Sequence, residues 1–412
     1  MDQLRVLVMQ NGARHNYAVP RVLAEAGALE AFYTDACGNV GLGSLASLGR
    51  HLPWVGGRMN RLAHRSPPRA VRERTSTFLG SASIDGFAKR CFGDRWGSRC
   101  LDYQMKCSGL KQANLIYSSL GWGRDLLGKA RRRGVPVVTE FYVRPSLWKT
   151  YQAEFRAFPG WEETLPLTGL ENAIGTLRDP CTTADFLLAP NDSVADDIAS
   201  SHGFARDRIM VVPYGVDDVF FQLRNTPIKG CVLFAGTCCL GKGIHYLAFA
   251  AEQLAARGLH YDFRIAGNVS ERIRAQPAAK YLSFLGRIPR SQFWREYESA
   301  DLVVVPSLSE GFSTVGLEAL AAGVPVVATD VAGTVVRHGV DGLLVPERDS
   351  NALAEAISKI VEDRPLRERM SIASREGAKE FTWHKYGERL LAALNEMSYQ
   401  WHLQAAGSSC PR

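Results

Sequence analysis

Two carboxylates eight residues apart, Glu310 and Glu318, lie in ADLVVVPSLSEGFSTVGLEALAAG, residues 300–323. The apolar run Leu302 to Val305 predicts a buried parallel strand, stopped by Pro306. Residues 307–313 carry loop chemistry. Ser313 is placed to cap a helix running to about Ala322, which Gly323 ends. The free N–H groups of Thr314, Val315 and Gly316 then face whatever lies above the strand, and such a helix start favours an anion, most often phosphate. Carboxylates beside an anion repel it unless they bind neutral hydroxyls, as a sugar and a ribose supply. Phosphate between two sets of hydroxyls describes a nucleotide-sugar. Taken singly, Glu310 reads as a loop acid and Glu318 as a solvated helix residue; flanking this loop together, they read as hydroxyl binders.

A third candidate is Lys242, in the turn Gly241-Lys242-Gly243 behind the apolar run CVLFAGT (231–237). Lysine is a common phosphate partner, and flanking glycines let the backbone come close. A surface lysine at a turn is the plain alternative. In an open parallel sheet, ligands sit beyond the carboxyl ends of the strands where strand order reverses. The loops 237–243 and 307–314 can face each other at such a point.

The stretch SEGFSTVGLEALAAGVPVV resembles the signature of the retaining family 4 glycosyltransferases of the GT-B fold, a Glu, seven residues, then a second Glu. The resemblance runs from about Leu4 to Trp383 and is strongest in the second half. It implies an α/β protein of two Rossmann-like parallel-sheet domains facing a central cleft, with a C-terminal helix crossing back to the first. The expected division is 1–215 on the acceptor side, a linker at 216–230, and 231–383 on the donor side, with 384–412 returning. By the same resemblance Glu310 and Lys242 are catalytic, Glu310 on the hydroxyls of the transferred sugar and Lys242 on the phosphates. Glu318 takes the ribose, Phe312, Ser313, Thr314 and Val315 shape the phosphate pocket, and Gly267 with the backbone of Arg287 and Ile288 flanks the base. Gly12, in the first turn, lets the backbone approach the donor.

The chain also departs from that family. One glycine, Gly12, precedes Ala13 where relatives carry two. Thr237 stands where relatives pair the lysine with an arginine, which weakens diphosphate clamping unless Arg14 or Arg287 substitutes. Arg14 reads as a phosphate partner, and the alternative for Arg14 and His15 is plain loop polarity. Tyr142 lies where relatives place a histidine, and VAGTVVRHG (331–339) lacks a glutamate and is about two residues shorter. The implied reaction is retaining, metal-independent transfer of a hexose from a nucleoside diphosphate sugar, UDP- or GDP-linked, to a hydroxyl of a saccharide or lipid-linked acceptor, as in polysaccharide biosynthesis. No cofactor beyond that substrate is implied. The departures support an alternative, an impaired nucleotide-sugar binding or assembly protein on the same fold. A dinucleotide oxidoreductase requires G-x-G-x-x-G after a first strand, and neither NGARHN nor GTCCLGKG supplies it.

The 412 residues suffice for two or three domains, and 46% hydrophobic with 22% charged content is ordinary for a globular chain. No apolar run approaches a transmembrane span, and the N-terminal run turns polar too soon for a secretory signal. Nine cysteines without metal-like spacing suit reduced thiols in a cytoplasm. The net charge of +7 belongs wholly to residues 1–215. Between Arg50 and Arg99 eleven Lys/Arg face only Glu73, Asp85 and Asp94, with Trp54, Phe78, Phe87, Phe92 and Trp96 interleaved. This segment reads either as contact with an anionic membrane at its inner face or as a solvated surface over core aromatics; nucleic acid is not expected.

The positioning elements follow from alternation. Strands are expected at 4–9, 29–33, 115–118, 135–140 and 184–191, then at 231–237, 261–266, 282–285, 302–305, 324–330 and 342–346. Helices are expected at 17–26, over much of 149–176, at 194–200 behind a Ser193 cap, and at 244–257, 291–298, 351–362, 365–380 and 384–403. Short apolar strands alternating with helices argue for parallel sheets covered on both faces. The pair Glu162 and Glu163 could line an acceptor groove or lie at the surface.

Overall fold

The structure, a computed structural model, describes residues 3–35, 37–40, 65–78, 95–163 and 181–408. Among these residues the first sheet comprises β1 (Val6–Met9), β2 (Leu29–Thr34), β3 (Thr75–Thr77), β4 (Leu115–Ser119), β5 (Val137–Glu140), β6 (Phe186–Ala189) and β7 (Ile209–Val211). All are parallel, in the order β3-β2-β1-β4-β5-β6-β7. The second sheet comprises β8 (Cys231–Ala235), β9 (Asp262–Ala266), β10 (Leu282–Gly286), β11 (Leu302–Val305), β12 (Val326–Thr329) and β13 (Gly342–Val345). It is also parallel, in the order β10-β9-β8-β11-β12-β13. Such runs as Leu302–Val305 are buried throughout because helices cover both faces, which is why they read as unbroken apolar blocks. Strand order reverses between β1 and β4 and again between β8 and β11, leaving a crevice at the carboxyl end of each sheet.

Where strands and helices are expected the element types agree and the differences lie at the ends; β3 and β7 are additional strands, each three residues long and too short for a periodic signal. The first helix begins at Ala18, because His15, Asn16 and Tyr17 take φ of 47°, 52° and 61° and cannot continue it. The helix Asp192–His202 is capped by Asn191, whose Oδ1 accepts from Val194 N at 2.9 Å, so Ser193 lies inside the first turn. Of the 149–176 stretch, Leu147–Ala157 is helical and residues 164–180 lie outside the described residues.

Residues joining the two sheets are held to the second. Asn225 Nδ2 donates to the carbonyls of Tyr297 and Ala300 at 2.8 and 2.9 Å, and Thr226 N donates to Glu298 O at 2.7 Å. The final helix, Trp383–Ser408, returns to the first sheet's unit. Gly387 packs on Val22, Arg389 reaches Pro213 O at 3.3 Å, and Trp401 donates to Gly134 O at 3.2 Å. Most of the basic 50–99 segment lies outside the described residues; within it Arg65 pairs with Asp35 at 3.0 Å and Arg69 with Glu73 at 3.5 Å. Among the described residues no helix is long and apolar enough to cross a membrane.

Candidate functional site

The loops after β8 and β11 meet at the reversal point of the second sheet. The backbone joins them first: Leu308 N donates to Gly241 O at 2.9 Å. Lys242 Nζ forms an ion pair with Glu310 Oε1, and Ser307 Oγ donates to Glu310 Oε2 at 2.8 Å. The close approach depends on Gly243, which has φ of +69° and whose added Cβ would stand 1.9 Å from Pro306 O. No side chain fits there without parting the loops. Gly267, just after β9, has φ of +155°, and a Cβ added there would stand 1.8 Å from Gly236 O.

The helix Thr314–Ala321 opens beside this pair, and Ser313 caps it by accepting from Gly316 N at 3.1 Å. Thr314 is exposed and Val315 half-buried, so the positive helix end faces solvent. Glu318, one turn in, accepts from Tyr297 OH at 2.9 Å. The divergent loop 331–334 supports the signature loop from behind: Glu310 N donates to Val331 O at 3.3 Å and Ser313 N to Gly333 O at 3.0 Å. Thr237 and Arg287 are exposed on neighbouring loops at the same sheet end, with Ile288 half-buried. Among the described residues no three His, Cys, Asp or Glu side chains gather to hold a metal ion.

The first sheet presents its own carboxyl end. Gly12, with φ of +70°, donates its N–H to Asp35 Oδ1 at 2.9 Å. Arg14 turns inward. Its guanidinium lies 3.3 Å from the centroid of the Tyr142 ring, pairs with buried Glu140 at 3.3 Å and donates to Tyr214 OH at 2.5 Å. Tyr214 OH in turn donates to Glu140 Oε1 at 2.6 Å, and its ring meets Phe312 edge-on at 5.1 Å. Burial opposes the Arg14 charge, but Glu140 together with Tyr214, Tyr142 and Tyr117 outweighs it, and the guanidinium is held well above its ordinary range. Arg14 is therefore spent on Glu140, and Arg287 is the exposed one of the two arginines expected to stand in at Thr237. Glu140 and Tyr214 were missed by the sequence reading. A glutamate ending an apolar strand run, VPVVTE, was the signal for the first; nothing marked the second.

Two histidines, His245 fully buried and His15 half-buried, give the protein an acid sensitivity. Burial, with Arg14 nearby, pushes His15 down to about 4, and burial likewise lowers His245. The unfolded chain takes up these protons below about pH 6.5. The folded chain resists until much lower, so stability is fully present above about 6.5 and falls as pH drops. The thermal midpoint is expected to be lower at pH 5 than at pH 7.5; an equal or higher midpoint at pH 5 contradicts the burial of these rings.

Against known proteins, residues 229–363 match the family described as glycosyl transferases group 1. The chain is 33% identical over 294 residues to D-inositol 3-phosphate glycosyltransferase 1 of Catenulispora acidiphila, covering 64% of this chain and 67% of that one. It is 32% identical over 254 residues to the D-inositol 3-phosphate glycosyltransferase of Nocardia farcinica, covering 56% of each. Apart from the first of these, the chain spans little more than half the length of such curated relatives, as with the 53% covered of the Mycolicibacterium smegmatis protein. In shape it is similar to Anabaena Alr3699/HepE in complex with UDP, at 15% identity, a TM-score of 0.61, and coverage of 95% of this chain and 100% of that one. It is also similar to sucrose-phosphate synthase from Thermosynechococcus elongatus, at 17% identity, a TM-score of 0.62, and coverage of 98% and 100%.

Proposed function

The chain belongs to the group 1 glycosyl transferases with the GT-B fold, and on that premise we propose that it transfers a hexose from a nucleoside diphosphate sugar to an acceptor hydroxyl. One observation carries the reading: the Lys242–Glu310 pair bridges two loops at the switch point, beside a capped helix start whose first residue is exposed. On this reading the diphosphate lies over the N–H groups of Thr314 to Gly316, and Lys242 leaves Glu310 to meet it. Glu310 then accepts from hydroxyls of the transferred sugar, and Glu318 from the ribose. Phe312, Ser313 and Val315 close the phosphate pocket, and Gly267, with Arg287 and Ile288, flanks the base. Thr237 lines the loop without a charge. Gly12 lets the first sheet's turn approach the donor, while Arg14 shapes the facing wall through Glu140 rather than touching phosphate.

Helix N–H groups and Lys242 supply positive charge for the leaving diphosphate, so the transfer is proposed to run without a metal and with retention. The family 4 assignment, a saccharide or lipid-linked acceptor and a peripheral membrane location go with it, the last motivated by the basic 50–99 segment. Alr3699/HepE is described in complex with UDP-glucose, which makes UDP-glucose the first donor to try. The test is nucleotide release from UDP-, GDP- and ADP-sugars with and without a chelator. Release from one donor, unchanged by chelator, is the expected result. Release abolished by chelator overturns the metal-free reading. Donor-induced stabilisation without release, even with saccharide acceptors added, favours a binding or assembly protein, to which the uncharged Thr237 would point.

A further inference from the structure

Lys242 and Glu310 stand on two loops of the second sheet, and each loop is tied to a side chain from the first half of the chain. Glu162, beyond the helix Leu147–Ala157, accepts through Oε1 from Leu240 N at 2.9 Å, two residues before Lys242. Asn191, just after β6, donates from Nδ2 to Gly311 O at 2.5 Å, the residue after Glu310. These partners are 78 and 120 residues apart in sequence, so neither bond is local.

Both side chains are themselves held. Oδ1 of Asn191 is committed to the N–H of Val194 as a helix cap, which leaves Nδ2 aimed across the seam. The seam there is tight, since a Cβ on Gly311 would come 1.8 Å from Tyr142 O. The arm bearing Glu162 is anchored at its start by Ser146, whose N and Oγ donate to Asp197 Oδ2 at 2.9 and 2.7 Å. Its middle is docked on the second sheet's unit. There buried Glu154 meets His245 Nε2 at 2.9 Å and accepts from Arg348 Nε at 2.6 Å. Phe158 and Trp161 pack their rings 4.5 and 5.6 Å from that of His245. Tyr151 of the same arm lies against Gly241, where a Cβ would come 2.3 Å from its ring.

We propose that Asn191 and Glu162 are positioning residues that set the lysine loop against the signature loop, so that the donor site is complete only when the two halves are closed. The proposal rests on the transferase reading above. An open molecule, with these bonds broken, holds Lys242 and Glu310 out of register and wastes less donor on water.

The test uses the full chain and three variants. Asn191→Asp keeps the cap oxygen but turns an acceptor toward Gly311 O. Glu162→Ala removes the acceptor for Leu240 N, and Glu162→Gln retains one. Hydrogen exchange without ligand and steady-state turnover of the donor found in the panel are the readouts. Asn191→Asp is expected to raise exchange in 308–313 by about tenfold while helix 192–202 stays protected, and Glu162→Ala to do the same in 238–243. Each lowers kcat by about tenfold with donor KM within about threefold, and Glu162→Gln restores both exchange and kcat. Unchanged exchange in both segments overturns the proposal, as does raised exchange with kcat within about twofold of wild type, or Glu162→Gln behaving like Glu162→Ala. If wild type turns over no nucleotide-sugar, the transferase reading falls. Exchange then decides alone whether the two residues set the loops.

Discussion

Lys242→Ala is expected to lower kcat for donor cleavage by about 10²- to 10³-fold, the cost of removing one preorganised partner from developing negative charge. Two effects act in the same direction. The leaving diphosphate loses its ammonium partner, and Glu310, which that ammonium balances before substrate arrives, keeps an uncompensated negative charge beside the phosphates. The second effect has its own signature. Adding Glu310→Gln to Lys242→Ala relieves the repulsion, so the double variant should lose less than the product of the two single losses. Nucleotide release measured for the four proteins of that cycle checks both. A Lys242→Ala kcat within about threefold of wild type would remove the lysine from the chemistry. Simple multiplication of the two losses would mean that the pair is not coupled.

Asp301→Asn is expected to cost about 3–5 kcal/mol of stability, the range for removing one partner of a buried ion pair. Asp301 lies immediately before β11, which leads into the signature loop, and is fully buried. It accepts from Arg364 Nη1 at 2.7 Å and Gly230 N at 3.0 Å, and pairs with Arg367 at 3.2 Å. Arg367 is only 2% exposed, and burial already lowers its pKa. Asparagine preserves the shape and the Gly230 bond but leaves that buried guanidinium with only the exposed Glu368, 3.8 Å away, as counter-charge. Arg364 is 37% exposed, so Arg364→Ala should cost no more than about 1 kcal/mol, because water replaces what it loses. Urea unfolding of both variants separates the cases. A loss below about 1 kcal/mol for Asp301→Asn would mean that Arg367 finds water or another partner.

The strand–loop–helix around the two glutamates was legible residue by residue. Leu302–Val305, the Ser313 cap and the stop at Gly323 obey rules that act within a few residues: apolar runs, side-chain capping of free N–H groups, and left-handed glycine. The alternation of such elements argued for parallel sheets covered on both faces, the resemblance implied that there are two, and the rule that ligands sit where strand order reverses brought loops 237–243 and 307–314 together. Where two local rules competed, the reading slipped by a residue or two. Asn191 and Ser193 are both good caps, and only backbone geometry chose Asn191, extended at φ −161°.

What sequence could not decide is which charges belong to the donor and which to each other. Arg14 read equally as a phosphate partner, but Glu140, ending a strand two places away in the sheet, takes it inside. Glu162 read as groove or surface and instead holds the lysine loop, while Asn191 does so for the signature loop. Periodicity and capping describe a chain's next few residues. The crevice is closed by contacts between segments tens of residues apart, and these exist only once both sheets have formed and packed.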